Sequence, residues 1–474
     1  MSEPLAGRAR PDRRTTGLIS LLGREAVSTD PEDLAAHAGD WSPRALVARR
    51  AGSQIQPPLA VVRPADSTEV SRLLAWATET RTPIVPFGGG SSVVEGIEAA
   101  GGLVVDLNRI DHISSIDEKS RLVTAGAGVT GPSLRDALTA EGFMLGHEPQ
   151  SHDISTVGGW VATRACGQLS ARFGGIEDLV AGLEAVLGDG RLVRSKVAPR
   201  RSTGPDLASL MLGSEGTLGI VTEVTMRISP IPTERVDACV RFEHMAEGIA
   251  ACRALAQSHL EPTVVRLYDR EDAFLFTMGF DDPPVGPLLL LSFDGPGAQG
   301  RSEAAVALSG GERIGDELVE HWWSHRNAAV DEYTKSMSGA GMLGPHALID
   351  TMEVAGSWTA LRALYHSMKE RLTKHAEVVT CHVSHVYPDG ACLYFTLARM
   401  CGDDEEAAAT DERWWEVGMT ACLEAGGTIS HHHGIGRLRA RWLPEELGEF
   451  HEVLRAVKRT LDPAGIMNPG ALGL

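Results

Sequence analysis

The chain lacks three features that would each define a class of protein: paired cysteines, a long basic run and a long apolar run. Its seven cysteines are scattered and never spaced Cys-x-x-Cys, which excludes a zinc ribbon and favours reduced thiols in the cytoplasm. The longest clean apolar run is PLLLLS, from Pro287 to Ser292. It is far shorter than the roughly 20 residues that cross a bilayer, so we expect a buried strand there and no transmembrane segment.

Net charge and the two ends of the sequence narrow the class further. The formal net charge of -19 would repel a phosphate backbone, which disfavours binding to nucleic acid and to anionic membranes. No apolar stretch follows the basic residues near the N-terminus, so a secretory signal is not predicted. Residues 1 to about 15 are expected to form a flexible arm. The final Leu-Gly-Leu is not a peroxisomal signal of the S-K-L kind, and a cytoplasmic location is expected.

Length and periodicity predict two main domains. A chain of 474 residues exceeds what one hydrophobic core usually organises. Short apolar runs alternate with helical stretches from Pro57 to Pro230, which indicates an α/β unit. Ser67 is the predicted N-cap of its first helix, Asp189-Gly190 predicts a hairpin, and the run LGIVTEVTMRISP predicts a long strand with one exposed face.

The pattern breaks at ISPIP, residues 228–232, which is the predicted boundary. Amphipathic helices and apolar strands follow it in mixed order, and a last helix leads to the C-terminus. We therefore expect four parts: an arm and helical segment (1–52), the α/β unit (53–231), a substrate or cap domain (232–424), and a histidine loop with a helix (425–474).

Three glycine-rich segments could bind a ligand. In VPFGGGSSV, residues 85–93, successive glycines let backbone N–H groups turn toward one anion, and two serines add donors. The segment QSHDISTVGGWVATRACG, residues 150–167, can lie against a flat ring system, and GSEGTLGIV, residues 213–221, is a third such turn. Each segment alone is equally typical of a tight turn. Three of them in one α/β unit indicate a common binding function.

The order of these segments resembles the FAD-binding domain shared by vanillyl-alcohol oxidase, D-lactate dehydrogenase, the glycolate oxidase flavin subunit and alkyldihydroxyacetonephosphate synthase. The resemblance to the synthases continues through GGIEDLV, STGPDL, SHVYPDGACLYF and SHHHGIGRLRARWL, and covers most of the chain from about residue 40 onward. It implies an α+β fold: a two-lobed FAD-binding domain of the p-cresol methylhydroxylase (PCMH) type, plus an antiparallel-sheet cap domain with flanking helices.

The same resemblance implies FAD as the cofactor and predicts which residues contact it. Families with covalent flavin often carry a histidine in the first loop, and none is present here, so non-covalent FAD is expected. The implied contacts are Pro86, Phe87, Gly88, Gly89, Gly90, Ser91, Ser92, Gln150, Ser151, His152, Asp153, Ile154, Ser155, Thr156, Thr163, Arg164, Ala165, Cys166, Glu215, Gly216, Thr217, Leu218, Gly219, Ile220 and Val221.

Tyr394 and the triplet His431, His432 and His433 are the candidate catalytic residues. Alternation along ACLYFTL places Tyr394 on the strand face opposite Leu393, where core packing is the ordinary role of a tyrosine. The resemblance instead implies that Tyr394 transfers a proton, which requires a pKa lowered from about 10. The triplet follows a helix and its glycine stop, and no acidic cluster accompanies it, so charge stabilisation or proton relay is favoured over a metal site.

Two further comparisons concern substrate contacts. Arg266 in PTVVRLYD matches an arginine that the synthases carry, which implies a substrate contact; an exposed ion pair is the alternative. The stretch that contains Cys381, His382 and His385 is expected to be ordinary strand surface. The synthases also place a phosphate-binding arginine near the segment SMSGAGML, residues 336–343, which has no basic residue here, so that Lys335 or Arg326 would have to replace it.

Three functions follow as hypotheses. The first is synthase-like: an acyl group is exchanged for a long-chain alcohol through a covalent adduct at flavin N5, giving an ether lipid precursor. The second is an FAD-dependent dehydrogenase or oxidase of a 2-hydroxy acid or related alcohol, which the missing arginine favours. The third is a flavin-retaining protein without turnover. The expected partner is a small-molecule or lipid substrate; a lipid substrate would bring the protein to a membrane surface, and a homodimer is compatible with the sequence.

Overall fold

The structure is a computed structural model that describes residues 13–52, 56–99, 101–327, 333, 335–340 and 344–474. Most of the expected N-terminal arm, residues 1–12, lies outside this range. Residues 13–15 do not belong to an arm, because they open the helix Arg13–Leu22, on which Leu18 is buried.

A four-stranded sheet forms the first lobe of the N-terminal unit. Its order is β1-β2-β4-β3, with β2 and β3 both parallel to β4. The helix Ser67–Thr80 packs on it through the buried residues Val70, Leu73, Leu74 and Ala77. Its N-cap is Asp66 rather than Ser67, since the Asp66 carboxylate accepts the N–H of Glu69. The strands are β1 (Val27–Ser28), β2 (Ala60–Val62), β3 (Ile84–Phe87) and β4 (Leu103–Asp106).

A five-stranded antiparallel sheet of order β5-β6-β10-β8-β9 forms the second lobe. The predicted hairpin at Asp189-Gly190 joins β8 to β9. The strand β10 is central and almost entirely buried, so the expected exposed face was wrong: Val224 and Met226 pack into one hydrophobic cluster and Ile220 packs into another. The strands are β5 (Ile113–Asp117), β6 (Leu122–Gly126), β8 (Val180–Leu187), β9 (Leu192–Arg194) and β10 (Gly219–Arg227), with a short pair β7 (Phe143–Met144) and β11 (Ser229–Pro230) beside it.

A seven-stranded antiparallel sheet of order β15-β12-β14-β13-β17-β18-β16 forms the second unit. Its strand β14 contains the residues LLLLS of the expected buried run, and Pro287 directly precedes the strand. The α+β class and the two kinds of unit are therefore confirmed. The strands are β12 (Arg235–Arg241), β13 (Val264–Tyr268), β14 (Leu288–Asp294), β15 (Glu312–Ile314), β16 (Ala347–Ser357), β17 (Val378–Val386) and β18 (Gly390–Met400). The expected four-part division of the chain stays a prediction.

Helices cover these sheets and return the C-terminus to the first lobe. The backbone N–H of Ile84 in β3 donates to Ile466, and the N–H of Asn468 donates back to Ile84. No helix among the described residues is long and apolar enough to cross a membrane. The helices of four residues or more, beyond the two above, are Pro31–Ala36, Pro43–Arg50, Gly131–Ala140, Val157–Thr163, Ser170–Phe173, Ile176–Leu179, Met245–Ala256, Arg270–Phe276, Ala298–Ser309, Glu317–His325, Trp358–Leu372, Asp404–Glu424, Leu443–Leu447 and Phe450–Leu461.

Candidate active site

One cavity of about 680 Å³ is lined by all three glycine-rich segments and by the seven-stranded sheet. Its volume is in the range of cofactor and ligand sites. The predicted site residues that line it are Pro86, Phe87, Gly88, Gly89, Gly90, Ser91, Ser92, Gln150, Ser151, Ser155, Thr156, Thr163, Ala165, Cys166, Glu215, Gly216, Gly219, Ile220, Val221, Arg266, Tyr394, His432 and His433. The predicted residues beside it that do not line it are His152, Asp153, Ile154, Arg164, Thr217, Leu218 and His431.

The first glycine loop follows β3 and leaves its backbone donors free. The N–H groups of residues 89–92 have no hydrogen-bond partner in the described part of the chain. A Cβ on Gly88 would overlap the Thr156 hydroxyl, and one on Gly89 would overlap the carbonyl oxygen of Ile154. Glycine is therefore required here by the close approach of the second loop, and the free donors face the space that an anion would fill.

The second loop ends in a helix whose N-terminus lies at the cavity. Thr156 is the N-cap of Val157–Thr163, and its hydroxyl accepts the N–H of Gly159 at 3.4 Å. The indole N–H of Trp160 donates to the Ser155 hydroxyl at 2.7 Å. These bonds fix the loop against the first one.

The third loop connects the two units through Glu215. This residue has a φ of 49°, and its buried carboxyl accepts the N–H groups of Ile435 at 2.6 Å and Gly436 at 2.8 Å. Burial raises the pKa of Glu215 to about 7. Because Ile435 and Gly436 follow the triple histidine, Glu215 holds the histidine loop at the edge of the glycine loops.

Tyr394 lies in a row of four side chains that crosses the cap sheet. Direct cross-strand pairs join Tyr268 of β13 to His382 of β17, His382 to Tyr394 of β18, and Tyr394 to Glu353 of β16. Directly opposed residues point to the same face of a sheet, here the face toward the cavity. Leu393 points into the core on the other side, as the alternation predicted.

The protonation state of Tyr394 differs from the expectation. Burial raises the pKa of Tyr394 to about 12, whereas proton transfer was expected to need a lowered value. The phenol is therefore neutral in this chain, and a base must accept its proton. The His433 ring lies edge-on to the phenol ring at 5.5 Å, and the His432 ring lies at 6.1 Å.

The triple histidine is neutral as well. Burial, reinforced by the neighbouring histidines, lowers the pKa of His431 and His432 to about 3. Burial also lowers the pKa of His433 to about 4. His431 is held outside the cavity by a 2.9 Å hydrogen bond between its Nε2 and the Tyr387 hydroxyl. Neutral imidazoles can accept protons, which suits His432 and His433 as partners of Tyr394.

Arg266 faces the cavity without a carboxylate partner among the described residues. Its Nε donates to the Tyr268 hydroxyl at 2.9 Å and its Nη2 donates to His382 Nε2 at 2.8 Å. The Nδ1 of His382 bonds to the Asp272 carboxylate at 2.8 Å. The arginine is therefore half-buried and oriented by neutral groups, not an exposed ion pair.

The expectation that His382 and His385 are ordinary strand surface was wrong. Both side chains are buried and line the cavity. Sequence alternation could have indicated this for His382, because Val383 on the opposite face belongs to the core. Cys166, His385 and His431 place ligand atoms within 4.8 Å of one another, but burial raises the pKa of Cys166 to about 11, which disfavours a thiolate ligand. The expected absence of a resident metal stays a prediction.

The two candidate replacements for the missing arginine differ in position. Lys335 is exposed and does not line the cavity, while Arg326 lines it. Arg326 is paired with the Glu148 carboxylate and lies over the Trp323 ring at 4.5 Å. Residues 341–343 of the segment SMSGAGML lie outside the described part of the chain.

Comparison with known proteins identifies the family. Residues 58–196 match the family model for the FAD binding domain, and residues 231–472 match that for the C-terminal domain of FAD linked oxidases. The chain therefore belongs to the FAD-linked oxidase family and is an FAD-dependent enzyme. The free donors of the first loop and its glycine cradle fit this cofactor.

Individual relatives carry more than one activity. The chain is 32% identical over 432 residues to YgcU of Escherichia coli K12, an uncharacterized FAD-linked oxidoreductase. The match covers 88% of this chain and 89% of that protein. It is 30% identical over 465 residues to alkyldihydroxyacetonephosphate synthase of Caenorhabditis elegans, and the match covers 89% of this chain and 77% of that protein. A solved alkyldihydroxyacetonephosphate synthase structure superposes with a TM-score of 0.81 at 25% identity, covering 98% of this chain and 87% of that one.

Proposed function

We propose that this enzyme exchanges the acyl group of an acyl-dihydroxyacetone-phosphate-like ester for a long-chain alcohol, which yields an ether lipid precursor and a fatty acid. The observation that carries the proposal is the meeting of Tyr394, His432 and His433 with the three cofactor loops around one cavity. The likeness to the synthases, in sequence and in fold, supports it. Bound FAD would supply N5, which can hold a carbon fragment or accept a hydride.

The proton steps can be assigned to residues of the chain. Tyr394 is a neutral phenol, so it cannot remove a proton from the substrate unless it loses its own. His432 and His433 are neutral imidazoles next to it, but their low pKa values make full transfer from the phenol unfavourable, so they take its proton only as Tyr394 takes the proton from the carbon that bears the ester, in one concerted relay. The reverse relay returns the proton when the ether forms. The exchange is redox-neutral because a fatty acid leaves and an alcohol enters without net electron transfer.

Arg266 is the proposed contact for the charged or carbonyl end of the substrate. It is the cavity-lining arginine that lacks a carboxylate partner among the described residues, whereas Arg326 is neutralised by Glu148. An unpaired guanidinium binds a carboxylate or phosphate oxygen through charge-assisted hydrogen bonds. The remaining wall is largely apolar, with Phe276, Trp322 and Ile349 among its side chains, which suits an alkyl or acyl chain.

A second candidate is an oxidoreductase of a 2-hydroxy acid or related alcohol, in which hydride passes to the flavin. The pairing of Arg326 with Glu148 favours it. Of the described residues that line the cavity, Arg266 is then the one arginine left to neutralise an anionic group, and one arginine suffices for a single carboxylate. The relative YgcU is also described as an oxidoreductase. In this reaction Tyr394 and the histidines would take the hydroxyl proton.

The two candidates are separated by electron balance. The FAD-loaded protein would be incubated without oxygen or any acceptor, with acyl-dihydroxyacetone phosphate and a fatty alcohol, and fatty acid and ether would be quantified by mass spectrometry. Many turnovers are expected for the synthase. Absence of ether, together with bleaching by a 2-hydroxy acid and reoxidation by an added acceptor, would establish the oxidoreductase instead.

A further inference from the structure

The carboxylate of Glu353 is hydrogen-bonded to the whole triple-histidine loop. It accepts the backbone N–H of His431, that of His432 at 3.4 Å and that of His433 at 3.0 Å. It also accepts the hydroxyl of Ser430 at 3.1 Å. Four donors from four successive residues thus converge on one side chain, so the path of the loop backbone depends on it.

Glu353 is also the direct cross-strand neighbour of Tyr394. The two residues are paired in the register of β16 and β18, so their side chains lie on the same face of the sheet. The Nδ1 atom of His433 lies 3.7 Å from the Glu353 carboxylate, and the His433 ring lies 5.5 Å from the Tyr394 ring. One carboxylate therefore sets where the histidines lie relative to the phenol.

The charge of Glu353 is retained although the residue is fully buried. Arg439, itself fully buried, donates from Nη1 to Glu353 at 2.7 Å and to the carbonyl of Ile429 at 2.8 Å. Burial opposes ionisation, but Arg439 and the nearby histidines lower the pKa of Glu353 below its usual range. A buried ion pair adds little stability compared with apolar side chains of equal volume, so stability alone does not explain it. A glutamine could not replace the carboxylate, because its NH₂ group would face N–H donors.

We propose that Glu353 is a positioning residue, which holds His432 and His433 against Tyr394 by binding the backbone of their loop. Its effect on turnover rests on the proposed function, while its effect on the geometry around the flavin does not. Misplacing a catalytic group by about 1 Å can cost roughly 100-fold in rate. Loss of the carboxylate is therefore expected to lower kcat and to leave the Arg266 contact, which Glu353 does not bond, and hence KM, unchanged.

The test uses full-length, FAD-loaded protein and three variants. Glu353→Gln replaces one of the two acceptor oxygens with a donor and leaves Arg439 buried and uncompensated, so Glu353→Gln/Arg439→Gln is made as well. The matched control is Glu446→Gln, since the Glu446 carboxylate accepts the Thr428 hydroxyl at 2.7 Å and the N–H of Ile429 at 3.3 Å, just before the histidines. For each, flavin content, thermal midpoint, kcat, KM and the visible circular dichroism of bound FAD are measured.

The expected result is a loss of roughly 100-fold in kcat with KM within about threefold in both Glu353 variants, and wild-type values in the control. The flavin circular dichroism should change only in the Glu353 variants. A folded, FAD-bound double variant with wild-type kcat and flavin spectrum would overturn the proposal. If the wild type turns over neither substrate set, the proposed function fails, and the flavin spectrum still decides the role of Glu353.

Discussion

Replacing Tyr394 with phenylalanine removes one hydroxyl and leaves the packing of the ring in place. The ring stacks on His382 at 4.9 Å with an interplanar angle of 14°, and phenylalanine keeps this contact. The Thr351 side chain lies near the hydroxyl on the same face of the sheet, and loss of even one neutral hydrogen bond would cost about 1 kcal/mol of stability. A group that transfers a proton in the transition state contributes roughly 10²–10⁴-fold to the rate. We therefore expect a small change in stability and a loss of kcat in that range.

The assay compares kcat, flavin content and thermal midpoint of Tyr394→Phe with those of Tyr365→Phe. Tyr365 is a matched control, because it is a buried tyrosine that does not line the cavity. Its hydroxyl donates to the Asp269 carboxylate at 3.2 Å. The control should lose stability but keep kcat. A Tyr394→Phe protein that retains FAD and turns over at a rate within threefold of the control would refute the proton-transfer assignment.

Four further predictions concern the cofactor, the substrate contact and the triple histidine. Gly89→Ala should abolish FAD binding, measured as flavin absorbance per chain, because its Cβ would overlap the Ile154 carbonyl. The control Gly300→Ala has open space around its Cβ and should bind FAD normally. Acid denaturation of the wild type should release all flavin if the attachment is non-covalent. Arg266→Met should raise KM at least about tenfold with flavin retained, since a charged hydrogen bond is worth about 1.5–3 kcal/mol, and an unchanged KM would exclude the contact. The triple histidine should make stability, measured by denaturant, fall as pH drops from 6.5 toward 4, because burial holds it neutral in the folded state, with pKa values of about 3 to 4, and it takes up protons on unfolding. Buried carboxyls with a raised pKa, among them Asp40, Glu215 and Asp350, act in the opposite direction, so the contribution of the triplet is measured as the difference between the wild type and a His431→Gln/His432→Gln/His433→Gln variant; the same pH dependence in both would contradict the assignment.

Local patterns were enough to predict the elements that carry the site. Glycine runs followed by small polar residues predicted the loops that line the cavity, because such runs free the backbone to face a ligand. Alternation in β18 predicted the face on which Tyr394 lies. Turn chemistry predicted the hairpin between β8 and β9. All of these depend on neighbours within a few residues in the chain.

The features that were missed depend on contacts between distant segments. The expectation of an exposed face on β10 failed because the residues that cover its side chains come from distant segments, such as Leu134 in one cluster and Ile466 in the other. One signal for Glu353 was present in the sequence, since it is a charged residue between Met352 and Val354 in a largely apolar strand. Its partners, however, lie about 80 residues further along the chain. The raised pKa of Tyr394 follows from burial by several elements, which no sequence window contains.

The most direct test of the central claim is a crystal structure with FAD bound. The account predicts that the diphosphate lies at the free N–H groups of residues 89–92 and that the flavin ring reaches the part of the cavity between Cys166 and Tyr394, next to His432. A flavin ring that points away from Tyr394, with the histidine loop facing solvent, would contradict it.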